Sequence, residues 1–289
     1  MTEIPRLNGV IRQRDKGKPV FLPFIMPTVE AAIAVGTSDY DGCVFEMEHS
    51  VYDINSLRVA LQFMLMRGQL VNGGTLAPKV TPFVRIPPNG IEKNSWIAKQ
   101  VLDLGAYGIV WPHCSTVEEA VSAVGACRYP RRESAPRYFP PGIRGDAPTA
   151  AARYWGISNA DYYKRADVWP LAPEGEILCV IMCEELRAIK NLPKILEEVP
   201  GIGAVLIGEG DLSQEMGIPR QYDHPDLRAA MKDIVAICRE HNVTVGHPHV
   251  DADNVERVLT EGYTWLMPSD VTTRPALAKG RQLAGRDKD

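Results

Sequence analysis

Short β-rich runs alternate with longer amphipathic stretches along almost the whole chain, and this alternation constrains the fold more than any other feature. Eight runs are predicted to be strands: residues 21–27, 42–48, 81–87, 107–113, 177–183, 203–208, 243–248 and 263–268. Helical periodicity predicts helices between them at 56–66, 93–104, 116–126, 186–198, 225–240 and 254–261. Such alternation is typical of parallel βαβ units.

The number of strand–helix pairs favours a closed barrel. Eight pairs within 289 residues, with no break in composition, predict an α/β protein that forms a single (β/α)8 TIM-barrel domain over residues 1–289. An open doubly wound sheet usually has fewer strands and a glycine-rich first turn, and no GxGxxG or GxxxxGK[ST] motif follows a predicted strand. Ser115-x-x-Glu118 and Asp223-x-x-Asp226 are predicted to begin helices.

One segment interrupts the alternation. Residues 129–173, between the fourth and fifth predicted strands, are rich in proline, arginine and aromatic residues. Loops of this length are uncommon in compact barrels and often carry function. Three interpretations stay open: a lid over the mouth of the barrel, an interface with another protein surface, and an ordered segment without a further role.

Composition limits the partners of the protein. Hydrophobic residues make up 45% of the chain, the net charge is −4 and no stretch of 18 apolar residues occurs, so neither nucleic acid nor a membrane is an expected partner. No signal peptide is predicted, and a cytoplasmic location is expected. Six scattered cysteines without a CxxC pair are interpreted as reduced core thiols.

Polar residues follow the apolar runs at several predicted strand ends. In a barrel of this type the carboxyl ends of the strands converge on one mouth, so these residues are expected to lie together. Glu184 and Asp211 end neighbouring strands and present only hard oxygen donors, which suit Mg2+ or Mn2+. Each acid taken alone could equally be a helix cap or an ion-pair partner.

Arg85 and His49 end two further strands. The guanidinium of Arg85 would donate to a carboxylate or to a developing enolate oxygen, and the alternative is a surface ion pair. His49 would titrate near neutrality and act as a general base, and the alternative is a structural histidine. No predicted strand ends in a lysine, which argues against Schiff-base catalysis.

His247 and His249 lie two residues apart on the seventh predicted strand and therefore point the same way. No carboxylate partner is evident close to them in sequence. Structural or substrate-contacting roles are therefore favoured over a second metal site.

Five motifs together resemble one family. They are EMEHS at 46–50, FVRIP at 83–87, VLDLGAYGIVWPH at 101–113, RYP at 128–130 with PPGIRG at 140–145, and IGEGDLSQEMG at 207–217. The chain resembles the HpcH/HpaI family of metal-dependent, pyruvate-specific class II aldolases, which includes 4-hydroxy-2-oxoheptanedioate and 2-keto-3-deoxyglucarate aldolases. The resemblance extends from the second to the eighth predicted strand.

The resemblance implies a role for each matching residue. Catalysis would depend on His49 as base, on Asp103 as the acid that supports it and on Arg85, while Glu184 and Asp211 would bind one divalent ion, Mg2+ or Mn2+, with Co2+ or Zn2+ as alternatives. The implied substrate-binding residues are Arg85, Gly210, Asp211, Leu212, Met182 and Trp111. Asp103 could also be no more than a helix C-terminal residue. The implied partners are a 2-oxo acid and an aldehyde, and the implied assembly is a homo-oligomer, a trimer or hexamer.

Three positions depart from the family pattern. Glu46 stands where the family usually has Asp, and Met182 stands where it usually has Gln, so the proton relay near the base is left open. The third departure is the 129–173 segment with its aromatic residues. If this segment overhangs the mouth, a bulky or aromatic aldehyde and a role in aromatic compound catabolism are expected.

The expected activity is reversible cleavage of a 4-hydroxy-2-oxo acid to pyruvate and an aldehyde. Alternatives on the same scaffold are decarboxylation of a 2-oxo acid such as oxaloacetate, and carbon–carbon bond formation of the macrophomate synthase kind. A citryl- or malyl-CoA lyase-like activity and a non-catalytic ligand-binding barrel are more distant alternatives.

Overall fold

The computed structural model describes residues 4–88 and 93–286, in which all strands run parallel in one sheet. The strands are β1 (Val20–Phe21), β2 (Phe24–Ile25), β3 (Gly42–Glu46), β4 (Thr81–Arg85), β5 (Gly108–Trp111), β6 (Leu178–Cys183), β7 (Ile202–Ile207), β8 (Thr244–Val250) and β9 (Trp265–Pro268). The helices are α1 (Gly9–Asp15), α2 (Val29–Gly36), α3 (Ile54–Met64), α4 (Arg67–Gly73), α5 (Ser95–Asp103), α6 (Val117–Ala126), α7 (Thr149–Trp155), α8 (Asn159–Arg165), α9 (Leu186–Glu198), α10 (Glu209–Glu215), α11 (Pro225–Glu240), α12 (Val255–Thr260) and α13 (Pro275–Leu283).

The first predicted strand is split into β1 and β2, and the two halves pair with opposite edges of the sheet. The strand order is β1-β9-β8-β7-β6-β5-β4-β3-β2. Leu22, between the halves, donates its N–H to Leu266 O at 3.0 Å, and Pro23 O accepts from Val44 N at 2.9 Å. Pro23 has no N–H, which suits a position where strand pairing changes sides. With β1 and β2 counted as one split strand, these pairings are consistent with an eight-stranded TIM-like barrel. The predicted parallel α/β architecture is confirmed.

The interior of the sheet is filled by large side chains that require small neighbours. Phe83 and Trp265 are fully buried and meet edge to face, with ring centroids 5.7 Å apart. A β-carbon on Gly108 would lie 2.7 Å from the Phe83 ring. Within the described residues, the interior of the barrel is therefore filled by packed side chains and contains no channel. A binding site is expected at the strand ends, where the polar residues lie.

The two predicted helix starts are each displaced by one residue. The capping box before α6 joins Thr116 to Glu119, because the Ser115 hydroxyl donates to Glu185 at 2.6 Å instead of capping the helix. The N-cap of α11 is His224, whose ring accepts from the N–H of Asp226 at 3.2 Å, and the cap predicted at the preceding residue was wrong.

The segment 129–173 packs at the amino ends of the strands. Trp155 in α7 is buried, stacks on Tyr107 with a centroid distance of 4.5 Å, and donates its indole N–H to Gly105 O at 2.8 Å. Gly105 and Tyr107 immediately precede β5, so this contact lies opposite the catalytic mouth of a barrel. The interpretation as a lid over the mouth of its own chain was therefore wrong, and the interpretation as an interface stays open.

A buried ion pair fixes the same segment. Arg128, after α6, donates to Asp167 at 2.6 Å and to Pro140 O at 2.6 Å. Both charged side chains are nearly inaccessible to solvent, so each needs an opposite charge close by.

The six cysteines are unpaired and buried, as expected for core thiols. None of the helices within residues 4–88 and 93–286 has the length and apolar character needed to cross a membrane.

Candidate active site

Acidic and basic side chains meet at the carboxyl ends of β3, β4 and β6. Glu46 and Arg85 are register partners at the ends of β3 and β4. Glu184 directly follows β6, and Gly208 follows β7 at the same level of the sheet. The structure thus brings together the strand ends on which the predicted site depends.

Glu46 shapes the turn that follows β3. One of its carboxylate oxygens accepts the main-chain N–H groups of Glu48 at 2.7 Å and of His49 at 3.0 Å. The other oxygen accepts from Arg85 Nε at 2.7 Å. At this departure from the family pattern, one carboxylate therefore joins the β3 turn to the arginine of β4.

Arg85 is held on three sides. Besides Glu46, its Nε lies 3.3 Å from Glu48 Oε2, and its guanidinium lies over the Phe24 ring at 4.5 Å. Nη1 lies 3.8 Å from the sulfur of Met182. Because thioether sulfur is a weak acceptor, Nη1 keeps most of its capacity to donate to a substrate oxygen.

Glu48 lies between Arg85 and two histidines. Its carboxylate is 3.5 Å from His49 Nε2 and 3.9 Å from His113 Nε2. Burial raises the pKa of Glu48 to about 7, the nearby cation of Arg85 opposes the rise, and the carboxylate of Glu46 adds to it. A carboxyl group with this pKa could accept or release a proton near neutral pH.

His49, the predicted base, is largely exposed, with 63% of its side chain accessible, and Glu48 is its ion-pair partner at 3.5 Å. The imidazole is therefore free to contact a substrate from the solvent side. Its role as base stays a prediction.

Glu184 is buried and held by main chain. Its Oε1 accepts the N–H of His113 at 2.6 Å. A β-carbon on Gly208 would lie only 2.2 Å from Oε2, so the carboxylate occupies space that this glycine leaves free. Burial raises the pKa of Glu184 despite the N–H group and charge of His113, and the carboxylates of Glu48 and Asp211 raise it further.

The donor set fits a hard divalent cation. Asp211 is exposed in the first turn of α10, three residues after Gly208, and its charge raises the pKa of both Glu48 and Glu184. Carboxylate oxygens with mutual repulsion in a desolvated site are what a cation would neutralise. Across the described ranges, no cluster of three His, Cys, Asp or Glu side chains has metal-binding geometry, and metal binding by Glu184 and Asp211 stays a prediction.

Asp103 lies away from His49 in this chain. It ends α5 and accepts from the buried guanidinium of Arg144 at 2.8 Å. Arg144 also donates to the Tyr162 hydroxyl at 2.8 Å. These contacts give Asp103 a structural partner at the far end of α5, and its predicted support of His49 stays a prediction.

Four predicted substrate contacts differ in access. Trp111 and Leu212 are completely buried, and the N–H of Leu212 donates to Gly208 O at 3.1 Å within α10. Neither side chain is accessible to solvent in this conformation, and their contact with a substrate stays a prediction. Met182 is 2% exposed but touches Arg85. Gly210 is half-buried beside Asp211, and both stay predicted substrate contacts.

His247 and His249 belong to a separate cleft. His247 is buried edge-on against Tyr263 at 4.9 Å, and burial lowers its pKa to about 4. His249 pairs with the buried Glu209. The cleft has a volume of about 510 Å3, and none of Glu48, Arg85 or Glu184 lines it.

The sequence assigned no role to Glu48, His113 or Glu185. Glu48 and His113 do stand at predicted strand ends, which is the signal that could have identified them. The contacts of Glu185 with His113 at 2.9 Å and Ser115 at 2.6 Å depend on the packing of neighbouring loops and have no local signature.

The chain is similar in sequence and in fold to known proteins. Residues 20–268 match the sequence pattern of the HpcH/HpaI aldolase/citrate lyase family. A 2-keto-3-deoxy-L-rhamnonate aldolase of Klebsiella pneumoniae is 31% identical over 249 residues, covering 86% of this chain and 81% of that protein. A 2-dehydro-3,6-dideoxy-6-sulfogluconate aldolase of Pseudomonas putida is 27% identical over 263 residues, covering 88% and 90%. The crystal structure of an HpcH/HpaI aldolase/citrate lyase family protein from Burkholderia cenocepacia is 26% identical, with a TM-score of 0.73 and coverage of 94% and 98%.

Proposed function

Because the chain belongs to the HpcH/HpaI aldolase/citrate lyase family and is a carbon–carbon lyase, we propose that it is a metal-dependent aldolase. It would cleave a 4-hydroxy-2-oxo acid reversibly to pyruvate and an aldehyde. The observation that carries the proposal is the meeting of Arg85, Glu48 and Glu184 at one end of the sheet, with Asp211 close enough to raise the pKa of both acids.

Glu184 and Asp211 would hold one divalent cation, Mg2+ or Mn2+. When bound, it supplies Lewis-acid polarisation of the 2-oxo group and stabilises the negative charge that develops there. The all-oxygen donor set favours these ions over Zn2+, and Co2+ would serve as a substitute.

Residues of the turn after β3 would carry out the proton transfers. His49, or Glu48 beside it at 3.5 Å, accepts the proton of the 4-hydroxyl group as the C3–C4 bond breaks. The electron pair of that bond passes to C3 and the 2-oxo oxygen, where Arg85 Nη1 donates a hydrogen bond. A proton then returns to C3, which becomes the methyl group of pyruvate, and the aldehyde leaves.

The substrate is expected to carry a hydroxylated chain. Two relatives are named as aldolases of 2-keto-3-deoxy or dideoxy sugar acids, which supports this class. The argument for an aromatic aldehyde rested on a lid formed by residues 129–173, and Trp155 packs instead at the amino end of β5. A homo-oligomer, trimer or hexamer, stays part of the proposal by family analogy.

The test is release of pyruvate from 2-keto-3-deoxy-L-rhamnonate, followed by reduction with lactate dehydrogenase and NADH. We expect release that depends on Mg2+ or Mn2+, is lost with EDTA, and is absent in Glu184→Ala and Asp211→Ala. Asp226→Ala, an exposed acid with 76% of its side chain accessible, is the matched control. Full activity in either ligand variant would refute the metal role. Pyruvate from oxaloacetate, with none from any hydroxy acid, would favour decarboxylation instead.

A further inference from the structure

The loop after β5 turns at His113 in a conformation that is costly for a residue with a side chain. Its φ is +51°, in the left-handed region. This turn directs the main-chain N–H of His113 onto Glu184 Oε1 at 2.6 Å. Oε1 of Glu184 therefore accepts a hydrogen bond from an N–H group whose position depends on the loop after β5.

The other oxygen of Glu184 is placed by the absence of a side chain at Gly208. A β-carbon there would lie 2.2 Å from Oε2 and 2.5 Å from the β-carbon of Glu184. The carboxylate is therefore confined between a hydrogen-bond donor and a glycine, and no main-chain N–H among the described residues donates to Oε2.

The side chain of His113 is tethered in turn. Its Nδ1 lies 2.9 Å from Glu185 Oε1, and the hydroxyl of Ser115 donates to Glu185 Oε2 at 2.6 Å. Ser115 is itself held, because Asn191 Nδ2 donates to its carbonyl at 2.8 Å and its N–H donates to Glu119 at 2.7 Å. The tether thus extends from α9 and the start of α6 to the turn that holds Glu184.

We propose that the Ser115–Glu185–His113 chain is a positioning device that holds the carboxylate of Glu184 in the orientation in which it would bind the metal. The inference rests on the proposed function, because it assigns a purpose to the orientation of a predicted ligand. A glycine at 113 would adopt the same φ without cost but would have no tether, which gives a reason for a histidine at a strained position. Groups that orient metal ligands commonly change metal affinity about 10- to 100-fold when removed.

The experiment compares Glu185→Ala with Glu185→Gln in full-length protein freed of metal by chelation. Both variants lose one negative charge. Only glutamine keeps an oxygen that accepts a hydrogen bond from the imidazole of His113 and an amide group that can hydrogen-bond to the hydroxyl of Ser115. Free Mn2+ is measured by electron paramagnetic resonance during titration. We expect Glu185→Ala to bind Mn2+ about 10- to 100-fold more weakly than wild type and Glu185→Gln to stay within about threefold. Equal affinities of the two variants would overturn the inference, since only charge would then matter.

A second measurement needs no metal. The His113 amide proton, bonded to Glu184, is expected to exchange slowly with solvent in wild type and Glu185→Gln, and at least tenfold faster in Glu185→Ala. If wild type binds no Mn2+, the proposed function fails while this exchange rate still decides whether the tether operates. Unchanged exchange in Glu185→Ala would overturn the inference. Ser115→Ala, which removes one hydroxyl, is the milder variant should Glu185→Ala fold poorly.

Discussion

Two nitrogens of Arg85 share a single carboxylate oxygen of Glu46, while the second oxygen of Glu46 holds the main chain of the β3 turn. This relationship couples the direction of the arginine to the position of Glu48 and His49. A longer acid than the family's usual aspartate therefore does not by itself indicate lost chemistry. It connects two neighbouring strand ends through one side chain.

Removing this connection should lower the rate of cleavage. Glu46→Ala frees Arg85 and leaves two turn N–H groups without their acceptor, so kcat/KM for pyruvate release should fall about 10- to 100-fold. Glu46→Gln keeps an acceptor for the turn and should lose less. Glu30→Ala, an exposed acid in α2, should have no effect. Wild-type kinetics in Glu46→Ala would contradict this interpretation.

Stability should depend on pH through Glu48. Its pKa is raised from 4.5 to about 7 in the folded, metal-free protein, so the folded state keeps a proton that the unfolded state releases. This contribution is present below pH 4.5 and is lost as pH rises to 7. It amounts to at most about 3 kcal/mol.

The measurement is urea unfolding of metal-free wild type and Glu48→Gln at pH 5 and pH 8. Because glutamine resembles the protonated acid, wild type should lose more stability than the variant between the two pH values. Titrating groups that do not interact with Glu48, such as the buried His247, contribute to both proteins and cancel in the difference. If the free energy of unfolding changed equally with pH in wild type and Glu48→Gln, titration of Glu48 would not be the cause of the change.

Gly208 should be intolerant of a methyl group. In Gly208→Ala the added β-carbon would lie 2.2 Å from Glu184 Oε2, so the carboxylate must move, and activity should fall about 100-fold. Gly68→Ala is the matched control, because an added β-carbon there meets nothing within 4 Å. Steady-state pyruvate release compares the two. An active Gly208→Ala enzyme would mean that the position of Glu184 is not critical.

Trp155 should matter for stability rather than for substrate choice. Trp155→Ala removes a buried indole, its stacking on Tyr107 and its hydrogen bond to Gly105, and should cost about 3–5 kcal/mol in the free energy of unfolding. Ile143→Ala, at a side chain 54% exposed, should cost far less. Urea unfolding and a panel of aldehydes in the aldol direction test both points. A changed aldehyde preference without loss of stability would place this segment at an active site.

Periodicity along the chain determined the architecture and most element bounds. The helices predicted at 186–198 and 225–240 are observed with those limits, and the predicted strands match the observed ones to within a few residues. Hydrophobic alternation is a local property, because each residue contributes to it through its own side chain. Strand-end position likewise made Arg85, Glu184 and Asp211 candidate site residues, since parallel strands place their carboxyl ends together.

Only the tertiary structure decided which groups touch. It split the first strand at Pro23 so that both sheet edges pair with it, and it placed Trp155 at the amino end of β5 instead of over the mouth. It also placed Glu48 between Arg85 and His49, and His113 on Glu184. The contact of His113 with Glu184 joins residues 71 positions apart, and its distance depends on how loops from different strands pack. These contacts form because they lower the free energy of the whole folded chain, so no local pattern of residues predicts them.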